Sequence, residues 1–143
     1  MIYQIAYWSK ASIPMSQSEL TQLAHHAKNY NFAHKMTGFL LYGNHTFFQI
    51  IEGTYSQVQA LYQKISADNR HHQLQKIGEW CLPERQYSHW AMGFEQLANP
   101  NHYKNYQYLY SWRSEQLTQN KDAMRRLLLE HANLHQAKNI KSV

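Results

Sequence analysis

A chain of 143 residues suits one compact domain of ordinary size with a short extension and excludes two full domains. Its 43% hydrophobic, 16% charged and 14% aromatic residues, eleven of them tyrosine, exclude disorder and low complexity. The net charge of +5 divides unevenly: residues 1–97 hold seven Lys/Arg against six Asp/Glu and residues 98–143 seven against three, so the basicity belongs to the tail and argues against nucleic acid as a partner.

In chain order, Tyr3, Ile5 and Tyr7 alternate with Gln4 and Ala6, predicting a strand over residues 2–8. Ser16 and Glu19 have capping-box spacing, and Leu20, Leu23, Ala24 and Ala27 continue at helical intervals. Met36 to Tyr42 and Thr46 to Glu52, joined by Gly43-Asn44-His45, predict a hairpin. A second helix opens near Ser56, buries Val58, Leu61, Tyr62 and Ile65, and ends before Asp68-Asn69-Arg70. Strands over Gln75 to Leu82 and Ser88 to Phe94 follow, separated at Pro83. The order β-α-β-β-α-β-β is that of an α+β, ferredoxin-like α/β sandwich with one added strand, giving a five-stranded mixed sheet. Phe47-Phe48-Gln49-Ile50-Ile51 is apolar on both alternating faces, so both faces of the sheet need cover. The tail supplies it as two helices beyond the turn Asn99-Pro100-Asn101. One is marked by Tyr103, Tyr106 and Tyr110, the other by Met124, Leu127, Leu128 and Leu134 after a cap near Thr118 or Asn120. The expected division is a domain over 1–97 and a two-helix extension over 98–143.

No run approaches the roughly 18 apolar residues of a membrane-spanning helix, and Met1-Ile2-Tyr3-Gln4 lacks the basic start of a signal peptide. With Cys81 as the single cysteine, a reducing, cytoplasmic setting is the expectation. The pairs His25-His26 and His71-His72 do not present the i, i+4 ligand face of a helical zinc site, so no metal is expected. Nucleophile motifs and a Gly-rich phosphate loop are absent. Polarity inside strands stands out instead. Gln49 lies on one strand face with Phe47 and Ile51, where an unpaired amide costs about 1–3 kcal/mol. Tyr7, at the end of the first strand, also needs a partner for its hydroxyl. The two either satisfy each other or face a ligand held between the helices and the sheet.

Six ordered segments sharpen this choice: Ile5-Ala6-Tyr7-Trp8-Ser9, Asn31, Met36-Thr37-Gly38-Phe39-Leu40-Leu41-Tyr42, Phe48-Gln49-Ile50-Ile51-Glu52-Gly53, Asp68-Asn69-Arg70-His71-His72 and Trp90-Ala91-Met92-Gly93-Phe94. Together, over about residues 1–97, the chain resembles the BLUF domain, a blue-light photoreceptor family using FAD. The resemblance implies that Tyr7 is the electron and proton donor to excited flavin. It implies that Gln49 stands between that tyrosine and the flavin edge, and that Asn31 hydrogen-bonds the ring. Trp90 and Met92 match a fifth-strand pair that exchanges environments on illumination. Lys28, Lys64, Arg70 and His71 become candidates for the phosphate end of the cofactor, with Asp68 positioning Arg70 or meeting the ribityl chain. Leu23, Phe47 and Ile65 are apolar candidates for the ring.

Two positions depart from the family pattern: Lys35 replaces the first glycine of Gly-Ile-Thr-Gly, and Trp8 replaces the serine after the tyrosine. By alternation Trp8 falls on the sheet face beneath the tail. The short chain leaves no room for a cyclase or phosphodiesterase, so the implied sensor is not an enzyme. It signals through strand five and the tail, as a homo-oligomer or to a protein partner. Two other classes fit the fold pattern alone: a small ferredoxin-like enzyme, and a nucleic-acid-binding module with an open aromatic sheet face.

Overall fold

The computed structural model describes residues 1–43, 45–96 and 119–141. The elements are β1 (Ile2–Ala11), α1 (Gln17–Ala33), β2 (Thr37–Gly43), β3 (Thr46–Gly53), α2 (Tyr55–Ser66), β4 (His71–Leu82), β5 (Gly93–Gln96) and α3 (Lys121–Lys141). Local chemistry sets their ends. Ser16 Oγ accepts the Glu19 N–H at 3.1 Å, and the Glu19 carboxylate accepts the Ser16 N–H at 3.5 Å, completing the capping box of α1. Thr54, two residues ahead of the expected start, caps α2 by accepting the Gln57 N–H at 3.3 Å. The β2–β3 hairpin turns through His45 at φ 58°.

The sheet order is β4-β1-β3-β2-β5, with β5 parallel to β2 and every other pair antiparallel. This is the expected ferredoxin-like sheet with one added strand. Helices α1 and α2 cover one face, where Ile5, Leu40, Phe47, Ile51, Leu20, Val58 and Leu61 pack together. On the other face Ala6, Phe39, Leu41, Phe48 and Ile50 pack against Met124, Leu128 and Ala132 of α3, with Trp8 and Trp80 at the margin. All eight residues of β3 are buried, the consequence of a central strand covered on both sides. The sheet face that an RNA-binding module would leave open is therefore occupied by α3. Trp8 lies under α3 as its alternation requires, and among the described residues its indole N–H has no hydrogen-bond partner.

Two strand boundaries differ from expectation. β4 begins at His71, four residues early, because β1 runs on to Ala11 and pairs with it, with Gln73 at φ 53° beside a register shift between Trp8 and Lys10. β5 begins only at Gly93, so residues 88–92 are not strand. Their polar groups are engaged elsewhere: the Trp90 carbonyl accepts the Gly38 N–H at 3.2 Å and the Ala91 carbonyl accepts Asn31 Nδ2 at 2.7 Å. The Asn99-Pro100 turn, the helix expected at Tyr103, Tyr106 and Tyr110, and the side chains of Leu127 and Leu134 lie outside the described residues.

α3 docks through specific contacts as well as apolar ones. Trp80 Nε1 donates to the Asp122 carboxylate at 3.1 Å, and the Arg125 guanidinium lies 5.0 Å from the Trp80 ring centre. Arg125 Nε also donates to Gln4 Oε1 at 3.0 Å.

Candidate functional site

Between α1, α2 and the sheet lies a cavity of about 310 Å³. Its sheet floor is Tyr7, Leu40, Phe47 and Gln49; α1 contributes Leu23, His26, Ala27, Tyr30 and Asn31; α2 and the segment after it contribute Leu61, Lys64, Ile65, Asp68, Arg70 and His71. The volume suits a ring system held by apolar walls with a few convergent polar groups.

The polar groups are ordered by the strands beneath them. Tyr7 and Gln49 are direct partners in the β1–β3 register, and both point to the helix side because strand side chains alternate. The buried Tyr7 hydroxyl donates to Gln49 Oε1. With its oxygen so engaged, Gln49 directs Nε2 toward Met92 Sδ at 3.5 Å. Burial, reinforced by Tyr62 and Asp68 nearby, pushes the Tyr7 phenol well above its ordinary pKa, so it is a neutral O–H donor at physiological pH.

Asn31 is 1% exposed at the C-terminal end of α1, and its Nδ2 is tied to the Ala91 carbonyl at 2.7 Å. That bond leaves the amide oxygen as an acceptor for an imide-type N–H in the cavity. Met92 and Trp90, two residues apart, go to opposite sides. Met92 is buried in the helix-side cluster against Gln49, whereas Trp90 packs on the far face, 5.7 Å from Phe39 between ring centres. Neither is on β5, which corrects their expected placement. Both belong to the irregular segment leading into it.

At the α2 end, Arg70 Nε donates to both Asp68 oxygens at 3.0 Å, and this partnership lowers the Asp68 pKa and raises that of Arg70. His71 is held by Ser9 Oγ at 2.7 Å from Nδ1 and by the Ile65 carbonyl at 2.6 Å from Nε2. Lys64 Nζ sits 4.4 Å from the Tyr30 ring centre. Lys28 is different: it is exposed on α1 and does not line the cavity. At about 100° per residue, His26, Ala27 and Tyr30 fall on one side of Asn31 and Lys28 on the other. His26, Tyr30 and Leu40 line the cavity without having stood out in the sequence. The spacing of His26, Ala27, Tyr30 and Asn31 on one helical face was the available signal.

Flat apolar walls, amide edges and a cationic end define a cofactor-binding α+β domain. A flavin nucleotide would suit that donor set: Phe47, Leu23 and Ile65 offer apolar walls for a ring, Asn31 and Gln49 offer amides to an imide edge, and Lys64 and Arg70 offer cations to phosphates. Residues 2–93 match the family profile of BLUF, sensors of blue-light using FAD, and the chain belongs to that family of flavin-binding blue-light photoreceptors.

Among curated relatives, the chain is 38% identical over 80 residues to photoactivated adenylate cyclase subunit alpha of Euglena gracilis, covering 56% of this chain and 8% of that protein. It is 34% identical over 91 residues to the beta subunit from the same organism, covering 62% and 11%. The chain thus spans about a tenth of the length of these relatives. Among solved structures, the photo-activated state of BlsA superposes with TM-score 0.78 at 23% identity, covering 92% of this chain and 95% of that one, a likeness of fold. The dark-state BLUF protein BlrB gives 0.64 at 26% identity over 66% and 72%. A bacterial light-regulated adenylyl cyclase gives 0.71 at 26% identity over 88% of this chain and 36% of that one. Among the described residues no helix is long and apolar enough to cross a membrane.

Proposed function

We propose that Tyr7 is the light-driven donor of this photoreceptor and Gln49 its hydrogen-bond switch. The observation that carries the reading is the chain of contacts Tyr7–Gln49–Met92 on the floor of the cavity. Flavin, when bound, absorbs blue light and becomes a strong oxidant. Tyr7 would give it one electron, and the existing bond would pass the phenolic proton to Gln49 Oε1 while the amide gives up an Nε2 proton toward the same acceptor and so stays neutral. The amide responds by rotation or by tautomerisation, so that donor and acceptor ends exchange partners. When electron and proton return to Tyr7, the chemistry cancels and the rearranged bonds remain. An added hydrogen bond to the chromophore carbonyl lowers its transition energy and gives a red shift.

Asn31 fixes the ring edge, Lys64, Arg70 and His71 the phosphate and ribityl end, and Asp68 orients Arg70. Met92 feels the Gln49 change first, because it touches Nε2, and Trp90 moves with it. In this reading residues 1–97 are the photosensor and residues 98–143 its output extension, acting in the cytoplasm by a change of oligomer or of a protein partner. The contacts of Asp122 and Arg125 with β4 and β1 support an output at α3, since they tie the seating of the helix to the strands beneath it. An absorption spectrum of the FAD-loaded chain before and after blue light, with size-exclusion chromatography in both states, tests this. A reversible red shift with a changed elution volume is expected. A light-insensitive spectrum contradicts the photochemistry, and an unchanged elution volume together with unchanged α3 protection contradicts the output.

A further inference from the structure

Glu52 lies on the sheet face turned away from the cavity and is fully buried. Its Oε1 accepts from the Tyr87 N–H at 2.7 Å and Thr37 Oγ1 at 2.8 Å; its Oε2 accepts from the Gln86 N–H at 3.0 Å and Gln4 Nε2 at 3.1 Å. These four neutral donors fill the lone-pair sites of the carboxylate. An apolar side chain there would strand two backbone N–H groups and two side-chain donors, so the reason for a carboxylate lies in what it binds.

The partners supply the reason. Gln86 and Tyr87 lie in the irregular segment between β4 and β5 that carries Trp90 and Met92, so Glu52 clamps its backbone to β3 three residues from Gln49. Gln4 carries the network outward, since its Oε1 accepts Arg125 Nε of α3 at 3.0 Å. Gln4 Nε2 also reaches Gln86 Oε1 at 3.2 Å, closing the link between α3 and the clamped segment. Strand β3 thus holds the proposed switch on one face and the anchor of the Met92 segment on the other.

We propose that Glu52 is a positioning residue which, through the Gln86 and Tyr87 amides, keeps Met92 against Gln49, and that Gln4 and Arg125 couple this clamp to the seating of α3. The proposal rests on the switch role given to Gln49. Its consequence is that the position of α3 sets the lifetime of the lit state by a route behind the sheet, separate from the run of β5 into the tail.

The test uses the FAD-loaded full chain with Arg125→Met, Glu52→Gln and the double variant. Arg125→Met should leave the size of the red shift unaltered and change the dark-recovery rate by about 2- to 30-fold, the span of coupling found for residues remote from a site. In the Glu52→Gln background the same substitution should have little further effect. In darkness, Arg125→Met should also speed amide hydrogen exchange at Gln86 and Tyr87, a readout that needs neither light nor the Glu52 variant to fold. An Arg125→Met effect of equal size in both backgrounds, a wild-type recovery rate, or unchanged exchange at these two amides overturns the proposal. Absence of any red shift in the unaltered chain instead contradicts the photochemical reading, and the dark exchange still decides the clamp.

Discussion

Tyr7 and Gln49 sit directly opposite one another on β1 and β3, and the phenol donates to the amide oxygen inside a cavity floor where the two residues are 3% and 5% exposed. Because the oxygen is claimed by Tyr7, the amide nitrogen is left for Met92. The orientation of the amide is therefore defined by two contacts rather than one, and each can be removed separately.

Met92→Leu removes the sulfur acceptor while preserving volume. The red shift should persist and the dark-recovery rate should change, because the amide loses one of the two contacts that define its orientation. Trp90→Ala should leave the dark flavin spectrum unaltered, since the indole is on the far face, yet cost about 1–3 kcal/mol as a half-buried aromatic packed on Phe39. Spectra and urea unfolding of both variants check the assignment; a displaced dark spectrum in Trp90→Ala would place the indole in the cavity.

Gly38 explains the close approach of β2 to β3. A Cβ there would stand 2.2 Å from the Ile50 carbonyl oxygen, an atom of the sheet backbone that cannot turn aside. Gly38→Ala should destabilise the fold by about 3 kcal/mol, whereas Gly53→Ala, whose nearest neighbour is Met36 Cγ at 3.4 Å, should cost about 1 kcal/mol or less. Equal unfolding midpoints for the two variants would contradict this account of the register.

Periodicity and turn chemistry made the sheet, its order and both capped helices readable, because apolar alternation in β1 to β3 is a direct image of burial. Tyr7 and Gln49 were legible for the complementary reason, as polar groups at positions that alternation assigns to the core. Trp90 and Met92 were misplaced because an aromatic and apolar run reads as strand, whereas their segment is held by bonds to Gly38, Asn31 and the Glu52 clamp, partners between 34 and 60 positions away. Lys28, whose charge suggested a phosphate contact, is turned to solvent by its helical angle and stands outside the cavity lining. The Glu52 network left no local mark, since its donors come from β1, β2 and the segment before Trp90.

Alkaline stability follows from two buried phenols. Burial raises the pKa of Tyr7 and Tyr87 in the folded chain above the unfolded value near 10. Their contribution is present in full below about pH 10 and is lost as pH rises beyond it, at up to about 1.4 kcal/mol per pH unit for each group. Chemical unfolding at pH 10 and pH 11 should show a smaller loss in Tyr7→Phe than in the unaltered chain; equal losses would mean that the phenol is not held neutral by the fold.

Arg70 is poised by Asp68 at the cavity's cationic end. Arg70→Ala should weaken retention of FAD about tenfold, the worth of one charge-assisted hydrogen bond, and leave riboflavin binding nearly unchanged. Equilibrium titration with both ligands distinguishes the phosphate role from a general loss of the cavity, in which both would fall together.

The most direct test is the light-minus-dark spectrum of FAD-loaded Tyr7→Phe and Gln49→Leu beside the unaltered chain. Phenylalanine keeps the ring and removes the transferable proton; leucine keeps the bulk and removes the amide. Both variants should bind FAD and lose the reversible red shift. A normal red shift in either would contradict the roles assigned to the pair.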